Sequence, residues 1–245
     1  MLRLDKYLAD MGTGTRSQVK QMINKGRVSV NGTKILRPEY KVDPGKDAVE
    51  ADGSRIGYTD FEYYMLHKPA GYVSATEDRQ EKTVLNLITG KSRKDLFPVG
   101  RLDKDTEGLL LITNDGELAH RLLSPRRHVD KTYLVHLDLP AEHKDAEAFR
   151  RGLDIGDEKP TLPARLEMEQ NGDGREVRVT IREGRFHQIK RMFEALGKHV
   201  VYLKRLSMGS LYLDGTLPPG AYRPLTKEEL ERLREDATGK KSSII

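Results

Sequence analysis

Apolar residues recur at helical spacing near the start of the chain and then switch to a period of two, which predicts two short helices followed by hairpins. Leu4, Tyr7, Leu8 and Met11 share one helical face, while Val19, Met22 and Ile23 form the apolar stripe of a second helix. Thr15 and Gln18 are spaced as a capping box for that helix, and Gly26 ends it. In "RVSVNGTKI" Val28 and Val30 precede an Asn31-Gly32 turn, and "AVEADGSRI" repeats the device with Asp52-Gly53. From Tyr63 onward strand-like runs ("YYMLHKP", "GLLLITN", "KTYLVHLDL", "REVRVTIRE", "HVVYLKRL", "SLYLDG") outnumber helical ones ("GELAHRLLS", "KDAEAFRRGL", "RFHQIKRMFEALG", "TKEELERLRE"). The two kinds do not alternate regularly, so the fold class expected is α+β with a mostly antiparallel or mixed sheet flanked by helices.

The pattern changes between Ile56 and Asp60, which divides the chain into a small module over 1–57, a linker over 58–62 and a larger domain over 63–235. The last helix carries its own capping box in Thr226 and Glu229, and residues 236–245 ("DATGKKSSII") read as a flexible tail.

Composition narrows the chemistry. With 245 residues and 36% apolar content the chain can fill ordinary cores. No run approaches the roughly 18 apolar residues of a membrane span, and no signal-like apolar block follows the N-terminus, so a cytoplasmic protein without membrane contact is expected. There is no cysteine, and the seven histidines show no paired ligand spacing, so neither a thiol nucleophile nor a metal site is expected. The net charge of +5 is uneven: residues 1–37 hold eight basic groups against Asp5 and Asp10, a local +6. Arg16 and Lys20 share a helical face, with Lys25 and Arg27 following where the helix hands over to a strand. A polyanionic partner or a well-solvated basic surface both fit that distribution.

"LRLDKYLADMGTGTRSQVKQMINKGRVSVNG" resembles the S4 RNA-binding domain, through its R-L-D-K-Y-L opening, its T-R-S helix start and its G-R-V-x-V-N-G close. The resemblance implies that Arg3, Lys6, Arg16, Lys20, Lys25 and Arg27 face structured RNA, where phosphate contact supplies affinity with little sequence choice.

"GRLDKDTEGLLLITNDG" over 100–116 sets Asp103, Asp105 and Glu107 two apart. Calcium binding in an EF-hand loop fails, because Asn114 stands where the bidentate carboxylate belongs and Pro98 and Gly100 oppose a flanking helix. Acids on the exposed edge of a strand, with Leu109 to Leu111 entering the core, remain open on the stretch alone.

The same stretch, extended to "FPVGRLDKDTEGLLLITNDGELAHRLLSP", resembles the central motif of pseudouridine synthases, in the branch of small-subunit rRNA enzymes and their large-subunit relatives. "YYMLHKPAGYVSA", "KTYLV", "EGRFHQIKRMF" and "VVYLKRLSMGSLYLDGTLPPGAYRPLT" agree in order, so the resemblance spans nearly the whole chain. It implies an isomerase that breaks the bond from ribose C1′ to uracil N1, turns the base and joins C5 to C1′, with no atom gained and no cofactor required. Asp103 falls on the catalytic aspartate, with Asp105 and Glu107 as neighbours. Lys190 in "HQIK" falls on the cation that meets this aspartate as an ion pair at the bottom of the pocket, and Tyr133 on the tyrosine that stacks on uracil. Arg101, Leu203, Arg185 and His187 are implied around the substrate, His187 as an orienting hydrogen-bond group. Residues 182–205 add a local +5. The partner implied is ribosomal RNA or a small-subunit assembly intermediate, bound by a monomer. "SPRRHVDKTYLVHL" favours 16S over 23S rRNA, and a non-catalytic RNA-binding assembly protein is the competitor from another class.

Overall fold

The computed structural model describes residues 1–124, 129–168 and 172–238. The chain divides into two compact units, one formed by Met1–Glu62 with Thr89–Leu96 and the other by Tyr63–Ile88 with the residues from Phe97 on.

The first unit begins with β1 (Leu2–Arg3), α1 (Leu4–Asp10) and α2 (Arg16–Asn24). The apolar stripes of both helices meet over a small core containing Leu4, Tyr7, Leu8, Val19 and Ile23. At the start of α2 the Thr15 hydroxyl accepts from Gln18 N, and the Gln18 side chain accepts from Thr15 N at 2.8 Å. Strands β2 (Val28–Val30), β3 (Thr33–Lys34), β5 (Val49–Ala51) and β6 (Ser54–Ile56) form an antiparallel sheet in the order β3-β2-β5-β6, while β4 (Lys41–Val42) pairs with β1. Both hairpins close through two residues at positive φ, Asn31 (52°) with Gly32 (78°) and Asp52 (50°) with Gly53 (79°), the conformation that matches the twist of the flanking strands. Residues 89–96, which the hydrophobic pattern leaves inside the larger domain, pack in this unit. Arg93 is buried there, bridging Asp95 at 2.5 Å and Asp10 at 3.7 Å and donating to Thr59 O.

The second unit is built on β7 (Tyr63–Lys68), β8 (Phe97–Pro98), β9 (Glu107–Thr113), β10 (Lys131–Leu137), β11 (Arg165–Met168), β12 (Glu176–Ile181), β13 (Val200–Met208), β14 (Leu211–Tyr212) and β15 (Tyr222–Pro224). The main path runs β11-β12-β10-β13-β9-β7-β15, with β14 on β13 and β8 on β9, and every described pairing is antiparallel except β13 with β9. Strand β9 is buried on both faces, which accounts for its unbroken Leu-Leu-Leu-Ile run. Leu109 and Leu111 face α3 (Gly116–Leu123) and α6 (Lys227–Thr238), packing with Leu118, Leu122 and Leu233. Where β9 first meets β13, a Cβ on Gly108 would lie 2.2 Å from Arg205 O, and φ there is 104°, so only glycine permits the crossing.

Two helices differ from the pattern-based expectation. α4 (His143–Arg151) matches, but α5 covers only Gln188–Glu194, because Gln188 N closes a turn on Arg185 O at 3.2 Å in which His187 adopts a left-handed φ of 48°. α6 runs on to Thr238, past the expected start of the tail at 236: Ala237 is buried and Asp236 accepts from Ser210 N. Residues 239–245 lie outside the described residues.

Candidate active site

The loop that joins β8 to β9 carries Asp103, and a second segment fixes it from behind. Buried Lys68, the last residue of β7, donates from Nζ to Thr106 O (2.7 Å), Pro69 O (3.1 Å) and Lys104 O (3.3 Å). Gly71 N donates to Lys104 O at 2.7 Å, and the Ser74 hydroxyl both accepts from Leu102 N and donates to Leu102 O. Leu102, Lys104 and Thr106 are thus held through their own backbones, and Thr106 N closes the turn on Asp103 O at 3.1 Å. Burial pushes Lys68 down to about 8, against the attraction of Asp105, Asp103 and Glu107.

Asp103 lines an open cavity. Tyr133 from β10, Ile181 from β12 and Leu203 from β13 supply an apolar wall, while Arg101 and His187 stand at the opening. Strand alternation puts these three wall residues on one sheet face. Thr106 also lines the cavity, with a buried hydroxyl that has no hydrogen-bond partner among the described residues.

Lys190, two residues into α5, is shared between two carboxylates. Its Nζ lies 2.7 Å from both oxygens of Asp105 and 3.5 Å from Asp103 Oδ2, and His187 Nε2 is 3.6 Å from Asp103 Oδ1. The side chains of Lys190, Asp103 and Asp105 are 18%, 27% and 71% exposed, so the cluster sits at the rim of the cavity and the ion pair is not a buried one at its bottom. Partial burial raises the Asp105 carboxyl, but the hydrogen bond and charge of Lys190 outweigh it and hold the group below its usual range. Glu107 takes no part: it accepts from Tyr202 OH at 2.8 Å, and burial together with that carboxylate pushes Tyr202 up to about 12.

Arg185 lines the cavity through its stem, while its guanidinium is committed to Glu183, Lys159 O and Pro160 O. In the first unit Arg3 and Arg16 both face buried Asp5, at 3.0 and 3.5 Å, Lys6 bridges Asp10 at 2.6 Å, and Arg27 bridges Asp52 at 2.5 Å. Lys20 and Lys25 are exposed. The cation set therefore comes with intramolecular anions that composition alone averages away. Lys68, Ser74 and Thr106 were not singled out by pattern, and the only hint in the sequence is that "HKPAGYVSA" keeps polar residues at and after the end of strand β7.

Residues 62–195 match the RNA pseudouridylate synthase family, and residues 2–47 match the S4 domain. The chain belongs to the RNA pseudouridylate synthases. It is 48% identical over 236 residues to the RNA pseudouridine synthase YtzG of Bacillus subtilis (strain 168), covering 96% of this chain and 99% of that protein. Identity to ribosomal small subunit pseudouridine synthase A of Escherichia coli (strain K12) is 43% over 231 residues, covering 94% and 98% of the two chains. A crystal structure of a pseudouridylate synthase superposes with a TM-score of 0.67 at 39% identity, covering 95% of this chain and all of that one. The synthase is thus an isomerase acting on uridine in RNA, with an S4 domain followed by an α+β catalytic domain. Among its described residues no helix is long and apolar enough to cross a membrane.

Proposed function

We infer that the synthase converts a uridine of 16S rRNA to pseudouridine as a cytoplasmic monomer, with Asp103 as the catalytic carboxylate. The observation that carries the catalytic assignment is the placement of Asp103 against the apolar wall of Tyr133 and Leu203, with Lys190 and His187 within 3.6 Å of its oxygens. The 16S assignment is supported by full-length likeness to an enzyme named for the small subunit. The "SPRRH" stretch that also favours it falls, over 125–128, outside the described residues.

The target base must leave its stack to enter the cavity, at a cost of a few kcal/mol that contacts elsewhere must offset. Inside, Tyr133 stacks on the flat uracil, with Leu203 beside it on the same wall. Asp103 then attacks C1′, stabilises positive charge on the sugar, or takes the C2′ proton. Each route needs the carboxylate ionised. The C1′–N1 bond breaks, the base turns, C5 bonds to C1′, the C5 proton leaves to solvent and N1 takes up a proton in its place. Tritium release from 16S rRNA carrying C5-labelled uridine tests the assignment. Release from 23S rRNA alone would move the substrate to the large subunit, and binding without release would leave an RNA-binding assembly protein.

Lys190→Ala should lower kcat about 100-fold, in the range seen when one charge-stabilising donor is removed. Because the ion-pair cluster is at the rim, melting should change by no more than about 1 kcal/mol. Lys190→Arg should retain more activity, since charge is kept although the head is wider and planar. A Lys190→Ala protein as active as wild type returns this residue to a surface role.

In the S4 domain, exposed Lys20 and Lys25 have, among the described residues, none of the carboxylate partners that hold Arg3, Arg16 and Arg27. Replacing both by Ala should reduce the slope of log K against log salt by about 1.4 to 1.8, near 0.7 to 0.9 for each phosphate that is no longer neutralised. Arg27→Ala should change it less, because it also frees Asp52 to repel phosphate. An unchanged slope in the double variant would assign the face to protein contact.

A further inference from the structure

The turn before α5 holds an aromatic ring in solvent for no reason that the fold supplies. Phe186 is 74% exposed, although burying such a side chain contributes roughly 1.5 to 3 kcal/mol. It is not a loose residue. Arg185 N donates to Gln188 Oε1 at 3.0 Å, the Arg185 guanidinium is pinned to Lys159 O and Pro160 O, and Arg191 Nη1 donates to Phe186 O at 3.1 Å. His187 is kept in a left-handed conformation that costs a non-glycine residue about 1 kcal/mol or more. One face of the Phe186 ring is covered by the His187 imidazole, with centroids 3.8 Å apart and planes 17° from parallel. The edge of that imidazole reaches Asp103, with Nε2 3.6 Å from Oδ1.

We propose that Phe186 is a stacking platform for the RNA base adjacent to the target uridine, and this rests on the reading that the cavity receives that uridine. His187 lines the cavity that receives the uracil beside Asp103, whereas Phe186 is not among the lining residues and its ring stands in solvent, so it does not meet the same base. It meets what remains outside. When a nucleotide leaves a stack its neighbour loses a partner, and a rigid ring next to the cavity replaces that partner and offsets part of the flipping cost. The ring needs no hydrogen bonds for this, because every base presents a π-face, and Arg101 at the cavity opening gives the connecting phosphate a cation. Rigidity matters: a ring already fixed loses little entropy on stacking. Phe186 acts here as a positioning residue and does not touch the reacting atoms.

The chain contains no tryptophan, so Phe186→Trp introduces a single indole reporter at the platform. Mixed with unmodified 16S rRNA transcript, this variant should show strong quenching of its emission with a saturable dependence on RNA, whether or not turnover occurs. In tritium-release assays Phe186→Ala should raise KM about tenfold, within the 1–3 kcal/mol that base–aromatic stacking shows on alanine substitution, with a smaller change in kcat. Phe186→Tyr and Phe186→Trp should stay near wild type, whereas Phe186→Leu, apolar but not planar, should resemble Phe186→Ala. Since the ring is exposed, all four variants should melt within about 0.5 kcal/mol of wild type. Unquenched indole emission at saturating RNA, or a Phe186→Leu protein with wild-type KM, overturns the platform. Absence of tritium release from wild type itself would instead overturn the substrate assignment, and the quenching measurement would still decide the platform.

Discussion

Asp103→Asn should leave a folded protein that binds RNA as well as wild type and turns over less than about one-thousandth as fast. The substitution keeps shape and removes only the negative charge. The loop should not respond, because its geometry is set by backbone contacts to Lys68, Gly71 and Ser74 and not by the Asp103 side chain. Nor should Lys190 be stranded, since Asp105 continues to hold it through both oxygens at 2.7 Å. Any loss is therefore a loss of chemistry. Asp105→Asn gives the opposite expectation: its carboxylate is largely in solvent, and without it Lys190 can turn fully toward Asp103, so activity should stay within about tenfold of wild type. Tritium release under single-turnover conditions, with RNA binding measured separately, distinguishes the two acids. An active Asp103→Asn protein beside an inactive Asp105→Asn one would transfer the catalytic role to Asp105.

Much of the first unit was legible because its signals are local. A capping box, two apolar stripes and two Xaa-Gly turns each specify a few consecutive residues, and each is found where the spacing put it. The long strands β7, β9, β10, β12 and β13 were legible for a similar reason, as their apolar runs are long enough to outweigh neighbouring turns. What escaped depends on contacts far apart in the chain. Residues 89–96 carry no apolar period and join the first unit through Arg93, whose partners Asp10 and Thr59 are many positions away. β11 is a four-residue strand with two exposed positions, visible only once β12 is beside it.

The same division runs through the site. Asp103, Tyr133 and Leu203 were placed by motif and do line one cavity. The partition of Lys190 between two acids was not legible, because a difference between 2.7 and 3.5 Å follows from how α5 meets the 103–107 loop and leaves no trace in residue order. The shortening of α5 by the Arg185 to His187 turn is the clearest case. The residues there are compatible with helix, and the turn wins through Arg185 contacts to 159 and 160, more than 20 positions upstream.

Lys68→Met should destabilise the synthase by about 1 to 3 kcal/mol at neutral pH and lower its activity at least tenfold, because three carbonyls, the Thr106 O among them buried, lose this donor and two of them belong to the loop that aims Asp103. The pH dependence gives a sharper test, since stability and activity should move in opposite directions. Burial holds Lys68 at about 8 in the folded protein against 10.5 in an unfolded chain. Below pH 8 both states are protonated, and the folded state bears the whole cost of a buried ammonium. Above it the folded state releases the proton first, the unfolded chain binds more protons, and stability contributed by this group rises with pH until both are neutral. The advantage of wild type over Lys68→Met should therefore grow by on the order of 2 kcal/mol between pH 8 and about 9.5. Lys131, which burial also pushes down to about 8, is present in both proteins and cancels from that difference. Activity should fall over the same interval, because a neutral amine has two N–H groups for three carbonyls and no charge to set against Asp103 and Asp105. Denaturant melts and tritium release on the same samples across this range measure both quantities. A stability difference that stays constant with pH would mean that Lys68 keeps its proton throughout, and wild-type activity that is level through pH 9 would mean that its charge does not support the catalytic loop.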